Sequence, residues 1–408
     1  MKLFALMAVM LAFLTGQGNA GIPKATSSGT SGVGPLEMLE DGCIRHRPCF
    51  KSPQGVRQEY GKERRMMMQT RRDFILGAAG AGGAMASGCV GLGNAASRRL
   101  LPPRIMWAYL AQLGMKLWER RKHYTDLKVD DSMWKSMTER AGEVGVNVFV
   151  FDLAEGMVFP SHPELAVKGS WEPERMKDEI ARLKDMEMMA VPKLNFSSSH
   201  DQWLGKWRKY LSTPEYFEVC SDLIRDVAEV FDETPLFHLG YDEETYFIQN
   251  VNRFEYKRLR SGNLWWDDFL WFTAEVEKHG IRPWIWSDYC WNHKDEFLER
   301  MPRSVLQSNW YYGKEFDLSK LREKVRPEVE TYAALEKRRF DQMPCGSTYS
   351  CRENFGKTVE HCRNLIADDR LKGFFMAPWY YRTQEDNRAK IMESLDVMGE
   401  AIAKWGRG

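Results

Sequence analysis

Pro235-Leu236-Phe237-His238-Leu239-Gly240-Tyr241-Asp242-Glu243 reads as a short apolar strand that stops on two adjacent carboxylates. In a barrel of parallel strands, the C-terminal strand ends are where chemistry is placed. Neighbouring carboxyls there can divide the work, one held protonated as an acid and one left ionised. The competing reading is a helix start, because Asp and Glu favour a first helical turn. What lies on either side of the stretch decides between the two.

From Arg104 onward, apolar runs alternate with helix-period segments. The pattern predicts strands over 105–110, 146–153, 189–196, 236–240, 283–287, 305–310, 342–348 and 373–378. Helices are predicted over 132–143, 174–185, 214–230, 266–279, 355–368 and 388–404. Between 313 and 339 the pattern is less regular, with short candidates at 318–324 and 328–337. Eight strands alternating with helices over about 300 residues predict an α/β chain folded as a (β/α)8 TIM barrel. A doubly wound open sheet would carry fewer strands and a Gly-rich phosphate turn after the first one. The first strand runs instead into Ala111-Gln112-Leu113.

Composition agrees with a large enzyme-sized core. The 408 residues are 43% hydrophobic and 12% aromatic, which excludes a disordered chain. A formal net charge of +1 gives no sign of a nucleic-acid partner. Fifteen Trp are present, many at predicted strand ends, where an indole can stack on the C–H face of a sugar. Core packing is the plain alternative for each of them.

The first hundred residues read as export sequence and the barrel as residues 101–408. Thr70-Arg71-Arg72-Asp73-Phe74-Ile75-Leu76 matches a twin-arginine signal, followed by a small-residue apolar stretch from Gly77 to Ala86. That stretch is too short for an ordinary membrane span, so a removed or lipid-anchored leader is expected. Its glycines follow an Arg pair and not a strand, which excludes a dinucleotide loop. Ala86-Ser87-Gly88-Cys89 resembles a lipoprotein cleavage box with Ala in place of Leu, which makes Cys89 a candidate for lipidation and membrane anchoring. Met1 to Ala20 also resembles a leader. Because two tandem leaders make little sense, translation is expected to start near Met66, Met67 or Met68, leaving 1–65 untranslated or disordered. The expected location is periplasmic or membrane-anchored.

Five Cys fall after residue 101, an odd number that argues against a full disulfide framework. Cys345 and Cys351 could pair across a loop; buried free thiols are the default. No Cys/His spacing resembles a zinc site, and no metal or cofactor is expected.

Gathering the predicted strand ends gives one site. Strand two offers Asp152 and Glu155, and strand three offers Lys193, Asn195 and the loop residue His200. Strand four offers Asp242 and Glu243, strand five Trp286 and Asp288, strand six Trp310, Tyr311 and Tyr312, and strand eight Trp379. Carboxylates mixed with indoles and phenols suit a neutral polyhydroxylated ligand with apolar faces, hence an oligosaccharide or glycoconjugate.

In this setting His238-Leu239-Gly240-Tyr241-Asp242-Glu243 resembles the His-x-Gly-Gly-Asp-Glu signature of family 20 glycoside hydrolases, the β-N-acetylhexosaminidases. Lys168-Gly169-Ser170-Trp171-Glu172-Pro173-Glu174 is similar to the family's Gly-Ala-Tyr-Thr-x-Glu run. Val191-Pro192-Lys193-Leu194-Asn195-Phe196 with His200 is similar to its Pro-Glu-Ile-Asp-x-Pro-Gly-His. Trp284-Ile285-Trp286-Ser287-Asp288 and Gln307-Ser308-Asn309-Trp310-Tyr311 resemble its strands carrying an active-site Trp and an acetamide-binding Tyr. The chain departs from the pattern in four places. Lys193 and Asn195 stand for Glu and Asp, no Arg follows strand two, Trp379-Tyr380-Tyr381 lacks the strand-eight carboxylate, and no accessory domain fits before Arg104.

The resemblance implies substrate-assisted retention, in which the sugar's own 2-acetamido oxygen attacks the anomeric carbon. It gives Glu243 the role of general acid/base and Asp242 that of partner to the acetamide N–H. Tyr311 would bond the acetamide oxygen, with Tyr312 a near-equal candidate. Trp286, Trp310 and Trp379 would wall the pocket, and His200 would contact Glu243. Two other readings stand beside it: a glycosidase with a different sugar specificity that uses a protein nucleophile such as Asp288, and a non-catalytic glycan-binding surface lipoprotein.

Overall fold

The computed structural model describes residues 101–114, 125–251, 254, 256–380 and 382–406. The twin-arginine stretch, Cys89 and the proposed start sites lie outside the described residues. Eight parallel strands form one sheet: β1 (Met106–Gln112), β2 (Val148–Asp152), β3 (Met189–Lys193), β4 (Leu236–His238), β5 (Arg282–Trp286), β6 (Leu306–Ser308), β7 (Cys345–Gly346) and β8 (Gly373–Met376). All eight predicted strands are present; six are trimmed, β1 runs two residues beyond its predicted end, and β5 is shifted back by one residue. Neighbours run β6-β5-β4-β3-β2-β1-β8-β7. The remaining seam is bridged by single hydrogen bonds, Met343 N–H to the Gln307 carbonyl at 2.8 Å and Cys345 N–H to the Asn309 carbonyl at 2.9 Å. The barrel is therefore nearly closed, as a (β/α)8 fold requires.

The helices are α1 (Asp131–Glu143), α2 (Pro173–Asp185), α3 (Pro214–Val230), α4 (Tyr246–Val251), α5 (Asn263–Lys278), α6 (Tyr289–Asn292), α7 (Lys294–Arg300), α8 (Arg326–Lys337), α9 (Asn354–Leu365) and α10 (Arg388–Trp405). Local chemistry sets several of their starts. Pro173 and Pro214 open α2 and α3, where a missing N–H costs nothing. The Thr213 hydroxyl caps α3 by accepting the Tyr216 N–H. No helix among the described residues is long and apolar enough to cross a membrane.

Strand alternation separates two cores. Val148, Val150, Trp284, Trp286, Leu306 and Phe375 fill the barrel interior, while Phe149, Phe151, Phe237 and Ile285 face the helices. The described cysteines are all free. Cys345 is buried in the barrel interior, whereas Cys351 sits in the following loop with its thiol 2.9 Å from a Glu353 oxygen, so the Cys345–Cys351 pairing is not formed.

Candidate active site

The end of β4 is built from strained backbone. Gly240, Tyr241 and Glu243 all have left-handed φ, at 71°, 71° and 53°. Gly240 is needed twice over, because a Cβ there would also come within 2.2 Å of Asn195 Oδ1. The zigzag sends the side chains in different directions. Tyr241 turns into the helix-side core against Trp265 and Phe269. Asp242 and Glu243 turn to the loop after β3.

Three neighbours hold the pair, two at the carboxylates and one at the Glu243 backbone. Asn195 Nδ2 donates to Asp242 Oδ1 at 2.7 Å. The Asn195 side-chain oxygen Oδ1 accepts from the backbone N–H of Ser197 and Tyr241, so the Nδ2 end must face Asp242. An Asp at 195 would set a second carboxylate against Asp242, so the departure from the family pattern removes a repulsion. His200 Nε2 lies 3.4 Å from Asp242 Oδ2 and 3.3 Å from Glu243 Oε2. Asp288 Oδ2 accepts the Glu243 backbone N–H at 2.8 Å, which fixes Glu243 in its left-handed conformation.

Burial alone would favour a neutral His200, but the Asp242 charge and the Glu243 hydrogen bond outweigh it and raise the imidazole to about 9. Asp288 is pushed up to about 8 by burial and then by the Asp242 charge, with its other oxygen buried and unpaired. Both shifts run the same way in linkage terms. Each group binds its proton more tightly folded than unfolded, so stability falls as pH rises: through Asp288 between about pH 4 and 8, and through His200 between about 6.5 and 9. The midpoint of thermal unfolding should therefore drop from pH 6 to pH 9. The drop should shrink in His200→Asn; equal slopes in the two proteins would discount the His200 ion pairs.

The second departure is also compensated. Lys193 Nζ sits 2.7 Å from Asp152 Oδ1, both side chains almost fully buried on facing positions of β2 and β3. Asp152 is thus engaged within the protein; burial raises its pKa and Lys193 opposes the rise. Glu155 is buried in the turn after β2. The ligand atoms of His200, Asp242 and Glu243 lie within 4.8 Å of one another, so these are the described residues that a metal ion would find. A protonated His200 supplies the two carboxylates with a positive partner of its own.

The aromatic wall is smaller than expected. Trp310 and Tyr312 stack at 5.0 Å, and Trp379 Nε1–H donates to the Tyr312 hydroxyl at 2.9 Å; all three are partly exposed and pack on the interior core. Trp379 is itself held at a left-handed φ of 51°. Trp286 lies beneath them, 1% exposed and flat on Phe375 at 5.0 Å, so it belongs to the floor and not to the open wall. Tyr311 is the correction. It faces the helix layer, edge-on to Phe316, and burial is the main cause of its raised pKa. Alternation past Leu306, Ser308 and Trp310 points Tyr312 inward, and Tyr312 feels the charges of Asp242 and Glu243.

Sequence reasoning missed the network that carries the β4 loop. Glu244, next in line after the pair, is withdrawn from the site. It binds the Arg260 guanidinium at 2.7 Å and accepts the Ser198 N–H. Arg260 also donates to the Tyr241 hydroxyl and the Phe196 carbonyl. Buried Gln249 ties the same loop to Ser198 and Arg258. Asp-Glu-Glu in sequence gives no sign of which carboxylate leaves.

No family model matches the sequence, and a search of curated proteins returns no match. Solved structures do match. The exo-β-N-acetylglucosaminidase of family 20 from Vibrio harveyi, in complex with N-acetylglucosamine, aligns with a TM-score of 0.50 and 13% identity over 72% of this chain and 54% of that one. The N-acetyl-β-hexosaminidase of Streptomyces plicatus aligns with a TM-score of 0.50 and 13% identity over 73% and 64%. The chain thus spans between half and two thirds of the length of these proteins. At such identity the likeness is one of fold: the barrel is of the kind on which family 20 β-N-acetylhexosaminidases are built.

Proposed function

We propose that the chain is a glycoside hydrolase acting on 2-acetamido sugars, with Glu243 as general acid/base and Asp242 as partner of the acetamide group. The observation that carries this reading is the adjacent pair at the end of β4, held from three sides by Asn195, His200 and Asp288 beneath Trp310, Tyr312 and Trp379. Asp242 keeps one oxygen on Asn195 and has the other toward His200. From there it would accept the acetamide N–H and steady the positive charge that develops on the group.

The chemistry balances without a protein nucleophile. The acetamide oxygen bonds to the anomeric carbon as the glycosidic bond breaks. Glu243 gives its proton to the departing oxygen. The resulting carboxylate takes a proton from water, which opens the cyclic intermediate with net retention. Tyr312, in place of Tyr311, is the phenol suited to the acetamide oxygen, because its hydroxyl is held by the Trp379 N–H and lies where it feels the charges of Asp242 and Glu243. Asp288 is poorly suited to nucleophilic attack: one oxygen holds the Glu243 N–H, and burial with the Asp242 charge favours its neutral form.

Nitrophenyl 2-acetamido glycosides compared with their 2-hydroxy counterparts test the reading. Turnover is expected for the 2-acetamido sugars alone. Equal rates on both would replace the mechanism with a protein-nucleophile one. Binding with no turnover of either would make the chain a glycan-binding protein.

A further inference from the structure

Two loops of the barrel carry a concentration of positive charge. The formal net charge of the whole chain is +1, yet residues 202–213, after β3, hold three cations and no acid, and residues 245–261, after β4, hold four cations against Glu255 alone. The acids that meet these loops are used inside the fold. Asp201 takes Arg208 at 3.0 Å and Glu244 takes Arg260 at 2.7 Å, both carboxylates buried. Lys206, Lys209, Lys257 and Arg258 stay exposed, with no acid paired to any of them among the described residues.

Direct contacts join the two loops into one surface. The Arg258 guanidinium donates to the Arg208 carbonyl at 3.4 Å, and the Arg208 guanidinium lies over the Phe254 ring at 4.3 Å. The Lys257 ammonium donates to the Phe254 carbonyl at 3.3 Å and lies 5.4 Å from the centre of the Tyr246 ring. On the other side, the Trp207 ring has the Lys206 ammonium over it at 4.4 Å and the Tyr210 ring beside it at 5.9 Å. Tyr246 is 61% exposed and Tyr210 44%. Cations and phenol rings therefore share one face turned to solvent.

We propose that this face docks on an anionic phospholipid bilayer. Phosphate headgroups would pair with the three lysines and Arg258, each cation near the membrane adding about fivefold to the affinity. The two tyrosines suit the headgroup level, because an apolar ring with a polar tip settles at the boundary between hydrocarbon and water. Lysine stems cross the same boundary while the ammonium stays hydrated. A soluble polyanion would use the cations alone and leave the rings in water. The docking needs no lipid on Cys89 and is independent of the chemistry of the carboxylate pair.

Vesicle co-sedimentation of the full chain carrying Cys89→Ala, which removes any lipid at that position, tests the docking. Mixed vesicles of phosphatidylglycerol and phosphatidylcholine should retain the chain, and vesicles of phosphatidylcholine alone should retain far less. Adding Lys206→Gln with Lys257→Gln should weaken binding to the mixed vesicles about 25-fold. Adding Tyr210→Ser with Tyr246→Ser instead should also weaken it, and this loss should persist at high salt, where the lysine contribution is screened. Failure of the parent to bind the mixed vesicles, or equal binding by the parent and the lysine variant, overturns the proposal. Binding that the lysine variant loses and the tyrosine variant keeps, with dextran sulfate held as tightly as the vesicles, identifies a site for polyanions and overturns it too. A dimer on light scattering that the tyrosine substitutions break, with no vesicle binding, identifies a contact between copies and likewise overturns it.

Discussion

Glu243→Gln should cut turnover of a natural glycoside by about 10²–10⁴-fold, the usual worth of a positioned acid–base group. The loss should be much smaller on a nitrophenyl glycoside, whose leaving group departs without a proton. The geometry gives the comparison its meaning. Gln keeps the backbone N–H that Asp288 accepts at 2.8 Å, so the left-handed turn at 243 should survive. His200 keeps its contact with Asp242. What disappears is a group able to give and take a proton. Steady-state kinetics on both substrates decide the matter, and full activity of the variant on the natural glycoside would remove Glu243 from the chemistry. Asp242→Asn offers a contrast. It should harm 2-acetamido substrates most, because only they present an N–H to position 242.

The barrel was legible in the sequence because its determinants are local. Interior strands of a parallel barrel are apolar on both faces, so each reads as an uninterrupted run such as Val148–Asp152. The helices that pack on it carry a clear 3.6-residue stripe, and 214–230 was readable to its last residue. Helix α7 was not readable, since Lys294–Arg300 is short and charged and buries only Phe297 and Leu298. The site divides along the same line. Asp242, Glu243, Asp288 and His200 were visible as polar residues at or just beyond strand ends, and the fold brings them together. Tyr311 was misplaced although period-2 alternation from Leu306 favours Tyr312; the matched motif drew attention to the first Tyr of the pair. The Lys193–Asp152 and Asn195–Asp242 contacts were not readable, because each joins residues more than forty positions apart. Their effect is to make residues that look like lost function into partners for the carboxylates that remain.

The largest stability loss should come from a residue that touches no proposed substrate. Arg260→Met should destabilise the fold by about 3–5 kcal/mol, the cost of leaving a buried charge without its partner. That is a large share of the roughly 5–15 kcal/mol that holds a typical domain together. Arg260 is fully buried, and its guanidinium serves four groups at once. It pairs with Glu244 at 2.7 Å, lies 3.7 Å from Asp268, and donates to the Tyr241 hydroxyl and the Phe196 carbonyl. Lysine is no substitute for a planar fork with several fixed donors, so Arg260→Lys should recover little of the loss. The double variant Arg260→Met with Glu244→Gln should be more stable than Arg260→Met alone, because it removes the orphaned Glu244 charge together with its partner. Chemical denaturation of all three separates these cases, and an Arg260→Met protein within about 1 kcal/mol of the parent would refute the account. The same substitutions bear on catalysis. Arg260 grips the residues on both sides of Asp242 and Glu243, Tyr241 before them and Glu244 after them. Under conditions where the variant is still folded, kcat should fall more than KM rises, because what loosens is the aim of the acid and not the walls of the pocket.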